Sequence, residues 1–234
     1  MVMSLSSRTA ELIGRDVPPS AAAGAHRMVQ AAIDAVNDAL DRGETHYTDR
    51  PGILPLRQKV SALLNERFRL ASRPSDLTIT CGLTEARFVC LQQLVEPGGT
   101  VHALAHPEAV AGAATIRGAV LSQAAAEADL VFVPASAGEE AIRACLSLIK
   151  PQCMVVYEVD SEQETFHPAA LPGLAEQVVT IGDLGLDKGL ATARLGYLAA
   201  PHQSAPGLRD FKQALTICST NLSQWAALNA VEAL

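Results

Sequence analysis

The sequence predicts a three-layer α/β/α fold around a mainly parallel sheet, and three observations carry that prediction. Short apolar runs alternate with longer segments of helical periodicity from Leu54 onward. A strand passes directly through glycine into a helix at Thr80-Cys81-Gly82-Leu83, the kind of βα junction that parallel neighbours require. The chain has 234 residues, 49% hydrophobic and 18% charged, which is enough apolar material for one sizeable core. One main domain is expected over residues 21–234, preceded by an arm over residues 1–20.

The elements follow in order. Pro18-Pro19 blocks helix and ends the arm, and Ser20 is a suitable N-cap for a helix from Ala21 to Leu40. Its apolar residues Met28, Val29, Ala32, Ile33, Val36 and Leu40 fall on one face, and Gly43 is a stop. The loop His46 to Gly52 leads to a second helix, Leu54 to Phe68, with Leu56, Val60, Leu63, Leu64 and Phe68 on a common side. Leu77 to Thr80 reads as a strand and Leu83 to Val95 as a helix. Alternation continues with strand Val101 to Ala105, helix Pro107 to Arg117, strand Leu130 to Val133, helix Gly138 to Ile149 and strand Cys153 to Tyr157. Between Val120 and Leu130 no further strand is expected. Strands at Val178 to Ile181 and Leu195 to Ala199 come next, joined by a short loop, and helices Ala205 to Thr216 and Leu222 to Leu234 close the chain.

Composition excludes several functions. The formal net charge is −7 and Lys and Arg are scattered, so nothing marks a nucleic-acid surface. No apolar run approaches the roughly 20 residues that cross a bilayer, and no apolar stretch precedes Glu11 as a secretory leader would require, so a cytoplasmic location is expected. Five cysteines without C-x-x-C spacing read as reduced thiols, with Cys145 and Cys153 in apolar surroundings that disfavour a thiolate. The six histidines are dispersed, and no metal-ligand spacing emerges among His102, His106, Glu158, Asp160 and His167.

Gly82-Leu83-Thr84-Glu85-Ala86 places a glycine and a hydroxyl at a helix start, where backbone N–H groups and the helix dipole favour an anion. This segment resembles the phosphate-binding turn of class I/II aminotransferases, the fold-type-I pyridoxal-phosphate enzymes. Five further segments are similar to that family in the same order: Tyr47 with Gly52 and Leu56-Arg57; Pro97-Gly98-Gly99-Thr100-Val101; Pro107; Val156 to Asp160; and Val178 to Leu198 with Arg194-Leu195-Gly196-Tyr197. The resemblance implies the family's large-domain fold over residues 21–234, with its C-terminal small domain missing. It also implies a dimer whose active sites form between subunits.

The same resemblance exposes departures. The family's Schiff-base lysine stands eight positions before its arginine; from Arg194 that count gives Leu186, after Asp183-Leu184-Gly185 in place of Ser-x-Ser. Lysine holds the cofactor as an imine and shuttles the substrate proton, and leucine does neither. Tyr157 replaces the aspartate that pairs with the pyridine nitrogen, Asp160 stands at the family tyrosine, Ala109 replaces the stacking aromatic, and the asparagine loop is reduced to Pro134 to Gly138.

Gly82, Thr84, Arg194 and Tyr47 survive as a possible anion site, each with an ordinary alternative: a turn glycine, a helix cap, an ion-paired arginine and a tyrosine packed at a subunit surface. The expectation is a degenerate, non-catalytic scaffold or partner subunit, in a homodimer or paired with an active relative, and without pyridoxal phosphate. Two alternatives stand beside it. One is a retasked enzyme or binder of a small phosphorylated or carboxylate ligand, using the old cleft lined by Tyr157, Asp160, Asp183, Asp187 and Arg194. The other is a pyridoxal-phosphate aminotransferase using Lys188.

Overall fold

Residues 28–160, 165–185 and 188–231 are described by the structure, a computed structural model. Seven strands form one sheet: β1 (Leu77–Thr80), β2 (Thr100–Ala103), β3 (Val120–Ser122), β4 (Leu130–Pro134), β5 (Met154–Val159), β6 (Val178–Asp183) and β7 (Gly196–Ala199), in the order β1-β7-β6-β5-β4-β2-β3. The pairs β2/β3, β2/β4, β4/β5 and β5/β6 are parallel, and β7 runs antiparallel to both β1 and β6. Among the described residues seven α-helices accompany them: α1 (Gln30–Asp41), α2 (Leu54–Phe68), α3 (Leu83–Leu94), α4 (Glu108–Arg117), α5 (Glu139–Leu146), α6 (Ala205–Thr216) and α7 (Asn221–Ala230).

Strand alternation sorts the core into two halves. Val131, Val133, Val155, Tyr157, Val178 and Tyr197 point to one face, where they meet α1, α2, α5 and α7. Leu130, Phe132, Val156, Val179, Ile181 and Leu198 point to the other, against α3, α4 and α6. Side chains buried on both faces are what a parallel sheet under two helical layers requires, so the predicted three layers are present.

Local chemistry sets the ends of several elements. Pro55 lies in the first turn of α2, where its missing N–H costs nothing, and the helix closes on Arg69 in a left-handed conformation. The loop before α2 is fastened to the sheet edge: Pro51 O accepts from Ile79 N at 2.8 Å, and Gln224 Oε1 from Ile53 N at 2.8 Å. Gly52 has φ +100, and a Cβ there would lie 2.5 Å from Ile79 Cγ1.

Three expectations change. The helix expected from Ala21 is described from Gln30, with residues 21–27 outside the described residues, as is the arm over 1–20. The last helix spans Asn221–Ala230, and residues 232–234 likewise lie outside. A strand absent from the expectation, β3, pairs with β2 through Thr100↔Val120 and His102↔Ser122. Its Val120 and Leu121 are exposed at the sheet edge, so no buried alternation announced it.

Candidate functional site

The carboxyl ends of β1 and β6, on either side of β7, lie beside the turn that begins α3. Gly82 caps that helix at φ 87, ψ 172, a conformation that L side chains rarely adopt, and no side chain caps the first turn. Glu85 reaches back so that its Oε2 accepts from Cys81 N at 2.6 Å, while Oε1 accepts from the Thr216 hydroxyl at 2.8 Å. The Thr80 hydroxyl donates to Gly82 O at 3.0 Å. The turn is therefore held from behind by side chains, leaving the first N–H groups of α3 directed outward.

The second wall is the β6–β7 hairpin. Asp183 pairs with Gly196 and Gly182 with Tyr197. Gly196 lets the turn pack against the hairpin, because a Cβ there would lie 2.8 Å from Gly182 O and 2.9 Å from the Gly82 carbonyl carbon. Arg194 follows a short helical turn with φ 49, ψ 58; its backbone runs 3.7 Å from the Cβ position of Gly82, and its side chain is exposed. Thr84, in the first turn of α3, is exposed as well. The backbone of Arg194 thus meets Gly82 at the start of α3, two residues before Thr84.

The remaining sequence candidates fare differently. Thr84 is not the helix cap, since Gly82 occupies that position. Arg194 has no ion-pair partner among the described residues, and Asp187 lies outside them. Tyr47 is 78% exposed, on a loop held by Asn221, which donates to Glu44 O at 3.1 Å and His46 O at 3.2 Å. Leu186 and Asp187 lie outside the described residues. Lys188 is half-buried in the turn after Gly185; its backbone N–H donates to Gly185 O at 3.0 Å and its carbonyl accepts from Val29 N at 3.1 Å.

Tyr157 is a correction. Expected among cleft-lining residues, it is fully buried in the core beneath α2, with its hydroxyl donating to Phe166 O at 3.0 Å and its ring packed against His167 at 4.7 Å and Phe68 at 6.2 Å. Asp160 is engaged in structure too: Ser136 N donates to it at 2.7 Å and Ser136 Oγ at 2.5 Å, tying the shortened Pro134 loop to the end of β5. Ala109 packs in the first turn of α4 against the second core half.

Sequence reasoning missed the ion pairing of Glu158 and the buried Lys212. Glu158 points away from Tyr157, to the α3 face, and takes a forked contact from Arg87, with Nε at 2.6 Å. An acid inside an otherwise apolar strand was the available signal. Lys212 on α6 is fully buried, and its Nζ lacks a hydrogen-bond partner among the described residues. Burial lowers its pKa, against the opposing influence of Glu85, Cys81 and Cys218. The thiols behave as expected: burial raises Cys145, and pushes Cys153 to about 11 and Cys90 to about 12. Among the described residues no group of three His, Cys, Asp or Glu side chains can hold a metal ion.

Pyridoxal phosphate fits this site only in part. The open helix start, Thr84 and Arg194 match a phosphate, whereas the position facing a pyridine nitrogen carries a phenol turned into the core, and the stacking position carries Ala109.

No protein-family model matches the chain. It is 25% identical over 230 residues to a putative aminotransferase of Bacillus subtilis, an alignment covering 83% of this chain and 59% of that protein. To an arginine–pyruvate transaminase of Pseudomonas aeruginosa it is 27% identical over 240 residues, covering 88% and 60%. Among solved structures, a methionine aminotransferase from Escherichia coli superposes with a TM-score of 0.74 at 18% identity, over 86% of this chain and 62% of that one. Thermus thermophilus aspartate aminotransferase gives 0.74 at 20%, over 87% and 64%. The chain spans about 60% of the length of the curated relatives it matches.

Proposed function

We propose, from the premise that this chain is a relative of the class I/II aminotransferases in sequence and carries their large-domain fold, that it is a non-catalytic subunit retaining an anion-binding corner. The observation that supports the reading is the environment of Tyr157. In a working relative that position would face the cofactor ring with a carboxylate, and here it is sealed into an aromatic core with Phe68 and His167. Leu186 at the lysine position, two residues short of Lys188, points the same way.

The corner at Gly82, Thr84 and Arg194 has the donors for a phosphate or carboxylate and lacks the group that would make a covalent imine. Homodimerisation, or pairing with an active relative, is the assembly such a subunit would serve, with the exposed Tyr47 loop as part of the contact. No helix among the described residues is long and apolar enough to cross a membrane.

Treating the purified chain with pyridoxal phosphate and then borohydride tests this. The expected result is no near-visible imine band and no covalent adduct on any peptide containing Lys188. A band that survives dialysis and disappears in Lys188→Ala would overturn the proposal in favour of a working cofactor enzyme.

A further inference from the structure

At the opposite, amino-terminal edge of β6 the fold leaves a cavity of about 570 Å³ under the end of α2. Its apolar lining includes Phe68, Leu70 and Val178, and its polar groups are supplied by Arg69, Ser72, Arg73, Asp76, Glu176, Thr180 and His202. The polar groups are organised around one buried carboxylate. Asp76, with its side chain 8% exposed, accepts from Arg73 Nε at 3.0 Å and pairs with His202 Nδ1 at 3.0 Å. Burial pushes its pKa up, but hydrogen bonds from His202, Arg73 and Ser75 outweigh that and hold it below the usual carboxylate range.

Asp76 uses only one nitrogen of each partner. The two terminal amino groups of Arg73 remain, as does the Nε2 of His202, which donates when the ring is an imidazolium, on side chains 56% and 66% exposed. Ser72 Oγ is buried without a hydrogen-bond partner. His167 Nδ1 accepts from Ala169 N, so its Nε2 carries the proton and donates to Thr180 Oγ1 at 2.9 Å, which leaves the Thr180 hydroxyl hydrogen free to donate. Arg69 adds a second guanidinium on the lining, held in a left-handed backbone conformation at φ 55. Donors from three separate segments, the end of α2 with its following loop, β6 and the loop after β7, therefore converge on a lining whose floor is apolar.

We infer that this cavity is a binding site for a small organic carboxylate with an apolar body, separate from the corner at Gly82. The guanidinium of Arg73, oriented by Asp76, takes the carboxylate, joined by the Nε2–H of His202 in its imidazolium form, and the body lies on Phe68, Leu70 and Val178. Glu176 on the lining disfavours a dianion, which selects carboxylate over phosphate. A volume of this size accommodates a single-ring acid. The inference is independent of whether the chain binds pyridoxal phosphate.

Calorimetric titration of the full chain with 3-phenylpropanoate, 3-phenylpropanamide and phenyl phosphate tests it. Saturable binding of the carboxylate is expected, with the amide and the phosphate each at least about tenfold weaker. Arg73→Gln and His202→Gln, both of exposed side chains, should each weaken the carboxylate about tenfold, whereas Arg143→Gln, on α5 and outside the lining, should leave it unchanged. The inference is overturned by any of three results: no binding at millimolar carboxylate, stronger binding of phenyl phosphate, or loss of binding in Arg143→Gln with Arg73→Gln unaffected. Circular dichroism of each variant keeps a folding defect from being read as a binding defect.

Discussion

His167 should make the fold acid-sensitive in a pH range where the ordinary carboxylates are still ionised. It is 2% exposed, with its ring wedged against Tyr157 and Phe68, and burial lowers its pKa to about 3. In the unfolded chain an imidazole titrates near 6.5, so between those values the unfolded state holds the extra proton. Stability from this group is therefore fully present above about pH 6.5 and falls as pH drops toward 3. The loss accrues at roughly 1.4 kcal/mol for each pH step between the two pKa values. From pH 7.5 to pH 5.0 it comes to about 2 kcal/mol, and it reaches about 4 kcal/mol at pH 3.

Urea unfolding at pH 7.5 and 5.0 measures the difference, with His167→Gln as reference. Glutamine can still accept from Ala169 N and reach Thr180 but does not titrate. The variant's own destabilisation is common to both pH values, so only the change with pH is compared. Wild type should lose about 2 kcal/mol more than the variant over that interval. Equal losses in the two proteins would show that His167 titrates alike folded and unfolded, and would refute the buried, neutral ring.

Other outcomes follow from the same geometry. Gly182→Ala would put a Cβ 2.6 Å from the Tyr197 hydroxyl and should destabilise by about 1–3 kcal/mol in chemical denaturation, since that ring is fully buried and has no room to yield. Arg87→Met leaves Glu158 charged at 5% exposure and should cost about 3–5 kcal/mol in the same assay, with the double variant Arg87→Met/Glu158→Leu recovering much of it. Cys90 and Cys153, with thiols pushed to about 12 and about 11, should resist iodoacetamide at pH 8 in the folded chain and react on unfolding, read by mass spectrometry.

Much of the architecture was legible because two-sided burial leaves continuous apolar runs such as Leu130 to Val133, and the helices between them carry a different period. β3 was not, because its three residues sit at an edge with Val120 and Leu121 facing solvent, and nothing in such a pattern separates strand from loop. Gly82, Thr84 and Arg194 were grouped by the family resemblance, and the hairpin brings the Arg194 backbone within 3.7 Å of the Cβ position of Gly82. The direction of Tyr157 could not be read the same way. It follows Val155 and Val156 in a run buried on both faces, so only the pairing with Thr180 and the ring contacts decide which face it takes. The cavity around Asp76 was invisible for a related reason: its donors come from distant segments, and Arg73 and His202 meet only because β7 returns beside β1.

That placement also changes what the family-like turn is worth as support for ligand binding. Most of its residues have structural roles that would suit them equally to a protein that binds nothing. Gly82 needs φ 87 to turn from β1 into α3, Gly196 allows the hairpin to pass within van der Waals distance of that turn, and Glu85 anchors Cys81 and Thr216. The glycines and the acid therefore argue only for the fold. Thr84 and Arg194 differ, because both side chains are exposed and neither caps the helix nor enters an ion pair among the described residues. Replacing either would cost the fold little. The case for an anion at this corner rests on those two side chains and on no other part of the turn.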